Sequence, residues 1–276
     1  MFDIKFSSSD FHLFQELIFQ KIGITLNDNK KDLLISRLSK RIRTLKLSSF
    51  RDYYNYIKDN NFPEEEMTIF IDRITTRKTD FFRENHHFNF LKNKIFPELL
   101  SMGKRRIRIW SAGCSSGEEP YSIAITVKEF FKNIKGGGYD VRILATDISN
   151  EALTKASNGV YKKESFFSVS PNIISEYFDT NGDNDNLYQA KEVLKDLITF
   201  GQLNLIYDEF KFKSRFDVIF CRNVIIYFDK TTVSLLMKKY YNFLDDKAYI
   251  FLGHAESLLF LKEQFNYVEN TIYQKR

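Results

Sequence analysis

"WSAGCSSGEEPYSIAI", residues 110–125, decides how this chain reads. The residues leading into it, "RIRIW" (106–110), alternate like a strand. Those that follow open with Pro120, suited to a first helical turn, and stay apolar at Ile123, Ala124 and Val127. Between them lie small residues and two glycines, Gly113 and Gly117, which permit a tight turn and close backbone approach. A glycine-rich turn from strand into helix brings N–H groups near a ligand. The spacing is not G-x-G-x-x-G, which disfavours a dinucleotide pyrophosphate. Taken alone, the loop also fits a packing turn.

Working outward, "VRILATD" (141–147) reads as a second strand ending in Asp147. In a doubly wound sheet an acid there accepts hydrogen bonds from ribose hydroxyls, although capping the next helix is an equally common use. Loop and acid together point to a nucleoside ligand. "FDVIFCRN" (216–223) is a buried strand that ends in Arg222–Asn223, an unusual place for donors. Tyr227 falls where that strand's carboxyl end meets a helix at about 230–244, the edge at which ligands bind. Cys221 has no histidine at a recognisable partner position and reads as a packed thiol. "AYIFLG" (248–253) is another strand, and "YVENTIYQ" a hairpin-like pair. This alternation of strands and helices describes an open, mostly parallel sheet. Residues 160–200 interrupt it: polar "DTNGDNDN" reads as an exposed turn between two short strands of a small inserted subdomain.

Upstream, residues 1–72 read as short helices. Asp10 is placed as the cap of the first, which Gly23 stops, and Asn29 as the cap of the second. "SSFRDYYNYI" forms a third, and Pro63 with three glutamates opens a fourth. The net charge of +5 is concentrated: residues 28–46 carry seven Lys or Arg against two Asp, and the rest balances at 34 of each sign. A localised acidic partner fits better than general nucleic-acid affinity. No apolar run approaches the ~20 residues of a membrane span, and the N-terminus lacks the order of a secretory signal. Two cysteines build no disulfide framework, so a reducing cytoplasm is expected. No Cys/His cluster has zinc spacing, and His86 and His87 read as packing or surface residues.

"ITTRKTDFFRENHHF", the quoted loop, "LATDIS", "FDVIFCRNVIIYFDK" and "FLGHAES" occur in this order at suitable spacings. Together they resemble the chemotaxis-receptor glutamate methyltransferases, the CheR family, over almost the whole chain. The resemblance implies an α/β fold. A small all-helical N-terminal domain (1–72) with the basic helix leads through a connector (73–84) to a doubly wound, Rossmann-like class I S-adenosylmethionine-dependent methyltransferase domain (85–276). That domain carries the inserted antiparallel β-subdomain. It further implies S-adenosylmethionine as methyl donor, S-adenosylhomocysteine as product and no metal. Thr79, Arg83, Ala112, Gly113, Glu118, Asp147, Ile148, Asn204, Leu205, Arg222 and Asn223 match its cofactor positions, with Glu118 at the amino-acid portion and Asp147 at the ribose. Arg83 and Tyr227 match its catalytic positions. Arg77 departs from the pattern, standing where Asn is expected.

The implied reaction transfers a methyl group to a glutamate carboxylate, giving a glutamyl methyl ester. Glutamate, with an ordinary pKa of ~4.3, is already ionised at neutral pH, so no general base is needed. The implied substrate is the helical bundle of cytoplasmic receptor domains, which Arg37, Lys40, Arg41 and Arg43 are expected to steer. In some relatives the inserted subdomain also captures a receptor C-terminal peptide as an added strand. The expected protein is a cytoplasmic monomer, recruited to receptor arrays. A nucleic-acid methyltransferase is disfavoured because "RNVIIYF" stands where an Asn/Asp-Pro-Pro-aromatic motif is expected. The other rivals are a cofactor-binding adaptor without catalysis and a nicotinamide dehydrogenase.

Overall fold

The computed structural model describes residues 6–58, 64–134, 137–181 and 184–276. Four helices come first: α1 (Ser8–Ile22), α2 (Lys31–Thr44), α3 (Phe50–Lys58) and α4 (Glu64–Ile74). Their apolar stripes close one core around Phe14, Leu34, Leu38, Ile42, Phe50, Tyr53 and Phe70. The caps differ from expectation. Ser7 caps α1, with Asp10 three residues on completing a capping box, because Asp10 reaches back to the Ser7 N–H. Gly23 ends α1 in the left-handed conformation, as its position suggests. Asn29 lies within a 3-10 turn, Asp28–Lys30, that runs straight into α2 without a side-chain cap. Pro63 lies outside the described residues.

A coil over 75–85 leads to α5 (His86–Phe90) and α6 (Phe96–Ser101), joined by a π-helical stretch at Leu91–Ile95. Alternating strands and helices follow: β1 (Arg106–Ala112), α7 (Glu118–Phe131), β2 (Asp140–Asp147) and α8 (Asn150–Asn158). Next come β3 (Val160–Lys162), α9 (Pro171–Tyr177), β4 (Phe178–Asn181), β5 (Asn184–Ala190) and α10 (Glu192–Lys195). The chain closes with β6 (Ile198–Gln202), β7 (Phe216–Cys221), α11 (Lys230–Phe243), β8 (Leu244–Leu252), β9 (Phe265–Glu269) and β10 (Ile272–Lys275).

Seven strands form the main sheet in the order β6-β2-β1-β7-β8-β10-β9, and β3-β5-β4 form the small antiparallel sheet. The five strands from β6 to β8 are parallel; β10 and β9 close the edge antiparallel. β6 pairs with β2, so the end of the stretch expected as insertion belongs to the main sheet. Alternation sorts the core to two faces. Ile107, Ile109, Val218, Phe220 and Phe251 face α5–α7, whereas Trp110, Ala112, Ile219, Ile250 and Leu252 face α11. β1 is flanked by β2 and β7, so the strand order reverses there and opens a crevice at the carboxyl ends. Among the described residues, no helix is long and apolar enough to cross a membrane.

Candidate active site

A cleft of about 360 Å³ lies at that crevice, and the helical domain roofs it. Its floor is Gly113, Ser115, Asp147, Ile148, Asn223 and Val224, and its roof includes Ile22, Ile24, Leu26, Lys30 and Leu33. Ile74–Arg77 form one wall; Asn204, Leu205, Ile226 and Tyr227 form another.

The glycine loop is pinned to the end of β2. Gly113 and Cys114 N–H groups both donate to Thr146 O (2.8 and 2.9 Å), and Ser115 N–H donates to Asp147 Oδ2 (2.8 Å). Gly113 has φ +87°, and a Cβ there would stand 2.5 Å from Val224 Cγ2 beside it on the floor. Gly117 serves a different need: its Cβ would meet Tyr161 Oη at 2.6 Å and Ala156 Cβ at 2.8 Å, inside the packed core. Asp147 Oδ1 accepts from Ser149 N–H (2.9 Å), and burial raises its carboxyl above the usual range. The cleft therefore presents one carboxylate at a strand's end, with apolar side chains such as Ile74, Ile148, Leu205 and Ile226 beside polar ones.

Behind the cleft, Arg222 is 3% exposed and holds three groups on two elements, α7 and the coil. It donates to Glu119 Oε2 of α7 (3.0 Å), pairs with Glu84 Oε2 at 3.2 Å and donates to the Arg83 carbonyl. Ser111 Oγ donates to the other oxygen of Glu119 (2.7 Å). Burial works upward on Glu84, but the Arg222 guanidinium holds its carboxyl below the ordinary value. The next residue, Asn223, has φ +59° and packs against Gly253, where a Cβ would stand 2.3 Å from Asn223 Nδ2. Glu256 fixes this turn by accepting N–H bonds from Gly253, Asn223 (2.9 Å) and Ile226 (3.2 Å). Burial raises its carboxyl too.

Of the sequence-expected cofactor residues, Gly113, Asp147, Ile148, Asn204, Leu205 and Asn223 line the cleft, as does Tyr227. The Asn204 amide donates to Lys21 O (2.8 Å) while its oxygen accepts from Ile206 and Tyr207 N–H groups, so the side chain braces the wall. Thr79, Arg83, Ala112, Glu118 and Arg222 do not line it. Glu118 is buried beneath the loop, accepting from Ser116 Oγ (2.7 Å), with Lys155 Nζ 3.9 Å away; burial pushes its carboxyl up. Arg83 sits on the coil and donates to Lys78 O (3.0 Å). Cys221 is packed, with the Tyr240 hydroxyl donating to its Sγ at 3.4 Å. His87 is packed as well, its Nε2–H directed at the Asn270 carbonyl 2.9 Å away.

The basic helix divides. Arg41 donates to Glu66 (Nε to Oε1, 3.0 Å), which also accepts from Tyr53 Oη, and Arg37 donates to backbone carbonyls at the end of α4. Both are engaged inside the protein; Lys40 and Arg43 are exposed. Reasoning from the sequence missed Glu84, Glu119 and Glu256. The only hints were the paired acid in "GEEP" and the acid in "FLGHAES".

Comparison with known proteins finds matches to both parts of the chain. The family model for the SAM-binding domain of CheR methyltransferases matches residues 77–274, and that for their all-alpha domain matches 9–75. A chemotaxis protein methyltransferase of Borreliella burgdorferi is 38% identical over 264 residues, covering 94% of this chain and 92% of its own. A probable chemotaxis protein methyltransferase of Rhizobium etli is 40% identical, covering 87% and 89%. That of Escherichia coli is 35% identical, covering 97% and 91%. With a glycine-lined crevice at the carboxyl ends of β1, β2 and β7, a helical roof and matches spanning both parts, the chain belongs to the CheR methyltransferase family.

Proposed function

We propose that this protein is a protein-glutamate O-methyltransferase that uses S-adenosylmethionine to esterify glutamates of chemotaxis receptors in sensory adaptation. The observation that carries the reading is the cleft joining Gly113, Asp147 and Tyr227. Its residues fit the donor. Asp147 offers a carboxylate to a ribose diol, the bare Gly113 backbone allows close approach, and Ile148, Leu205 and Val224 offer apolar surface to a flat base. When bound, S-adenosylmethionine supplies a methyl group on a positively charged sulfur.

The chain's own residues need not remove a proton, because a glutamate side chain is ionised at neutral pH. What they contribute is orientation and exclusion of water. Tyr227, on the cleft wall, donates its hydroxyl to the incoming carboxylate. Arg83 on the neighbouring coil adds positive charge, weakly enough that the ground state does not gain as much as the transition state. Glu118 tends the amino-acid end from behind the loop, through Ser116 and Lys155 rather than by lining the cleft. Lys40 and Arg43 face the acidic receptor bundle. The protein then works in the cytoplasm at receptor arrays, and the outer strands β3 and β4 of the small sheet offer a place for a receptor C-terminal peptide.

The test is calorimetric titration with S-adenosylhomocysteine. The unaltered protein is expected to bind, and Asp147→Ala to lose at least about tenfold in affinity, as for a charged hydrogen-bond acceptor removed. Transfer of labelled methyl to a receptor fragment as a base-labile ester completes it. Binding without transfer leaves a cofactor-binding adaptor; no binding removes the reading.

A further inference from the structure

Helix α4 ends at Ile74 in a region without glycine from residue 24 to 102, so no left-handed glycine closes it. Its last carbonyls are met by two guanidinium groups. Arg37, reaching across from α2, donates through Nη1 to Ile74 O and to Thr75 O (2.9 Å), and through Nη2 to Thr76 Oγ1 (3.1 Å). Arg77 folds back to donate to Asp72 O (2.7 Å) and pairs with Glu151 of α8 at 3.1 Å. Two like charges converge on one helix end, where the partial negative charge of the terminal carbonyls offsets their repulsion.

The segment they hold, Ile74–Arg77, is a wall of the cleft. It is tied onward to the glycine loop by Ser115 Oγ, which donates to Arg77 O (3.1 Å), and α4 just before it is tied to the start of α8 by Ser149 Oγ, which donates to Asp72 Oδ1 (2.5 Å). Leu33, one turn before Arg37 on α2, lines the same cleft.

We infer that Arg37 and Arg77 are positioning residues: they cap α4 and fix Ile74–Arg77 as the cleft wall, so that basic helix α2 sets cofactor affinity from within. The inference rests on the cofactor reading above. It separates Arg37 from Lys40, two positions on one helix expected to do one job. It also accounts for the unexpected Arg77, whose Nη2 reaches a carbonyl and a carboxylate together, beyond the span of the Asn expected there.

The experiment compares Arg37→Met, Arg37→Lys, Arg77→Met and Lys40→Glu as full-length proteins. It measures the S-adenosylhomocysteine Kd, and the KM for a receptor fragment at low and high salt. Arg37→Met is expected to weaken S-adenosylhomocysteine about tenfold, leaving the fragment KM and its salt dependence unchanged. Arg37→Lys keeps the charge without the fork and recovers only part of that loss. Arg77→Met shows a smaller loss of the same kind, and Lys40→Glu the reverse pattern. Arg37→Met binding within twofold of the unaltered protein while the fragment KM rises overturns the inference. If Arg37→Met does not fold, full affinity in both Arg37→Lys and Arg77→Met overturns it. Failure of the unaltered protein to bind removes the cofactor reading itself.

Discussion

At the scale of single residues, Gly113 and Gly117 show that identical sequence signals serve different ends. Both adopt positive φ, so any side chain costs roughly 1–2 kcal/mol in backbone strain. Beyond that strain their surroundings differ. A methyl at Gly117 collides with the Tyr161 hydroxyl and with Ala156, including its backbone at 3.0 Å, and neither can yield. A methyl at Gly113 meets only Val224, which lines the open cleft and can turn into it. Gly117→Ala is therefore expected to cost about 3 kcal/mol in urea-unfolding stability, with whatever folds keeping its cofactor affinity. Gly113→Ala should lose only about 1–2 kcal/mol but weaken S-adenosylhomocysteine severalfold. Equal stability losses with equal affinities would show that both glycines are packing positions.

At the scale of elements, legibility followed the range of the interactions. β1, β2, β7 and α7 were readable because their side chains alternate or recur within a few residues. β6 was not: among "ITFGQ" only Ile198 is buried, as suits an edge strand held by backbone pairing to β2. A helical connector before β1 was legible from the lack of glycine between 24 and 102, but its division into α5 and α6 was not, because Pro97 stands in the first turn of α6 after a π-helical stretch. The need for donors after β7 was legible, but their use was not. Arg222 pairs with Glu119, 103 residues away, to clamp α7 and the coil rather than to touch the cleft. The buried ring beside that clamp carries a pH signature. His87 faces Arg222, Glu84 and His86, and stacks edge-on against Phe251 and His254. Burial first, then the Arg222 charge, lowers its pKa to about 3 from the ordinary 6.5. The unfolded chain thus takes up a proton that the folded one refuses. Stability from this group is full above pH ~6.5 and falls as pH drops toward the folded value, by at most about 1.4 kcal/mol per unit. His87→Phe should be less stable at pH 7.5, having lost the bond to Asn270, yet lose less between pH 6.5 and 5. Parallel urea-unfolding stabilities across that range would refute the assignment.

At the scale of the whole molecule, the charge distribution and the domain contacts belong together. Apart from residues 28–46 the sequence is neutral, and within that segment Arg37 and Arg41 are turned inward, which leaves Lys40 and Arg43 as the exposed basic residues of α2. The helical roof is bonded to the sheet's carboxyl edge. Thr25 N–H donates to Tyr227 O (2.9 Å), the Asn204 amide to Lys21 O (2.8 Å) and the Tyr207 hydroxyl to Phe19 O (2.7 Å). A partner docking on α2 would thereby be held at a fixed place relative to the cleft mouth, as the proposed in-line transfer to a receptor side chain requires. Exposed charges act over about 8 Å at physiological salt, so steering by them would be strong only at low ionic strength. Reversing both, Lys40→Glu with Arg43→Glu, is expected to raise the receptor-fragment KM about tenfold in low salt and about twofold in ~0.5 M salt. The kcat at saturation and the S-adenosylhomocysteine affinity should not move, because neither residue lines the cleft. A KM unchanged at low ionic strength would mean that the exposed charges of α2 only solvate the helix, and that the receptor is recognised elsewhere, with the inserted β3-β5-β4 sheet next to be tested.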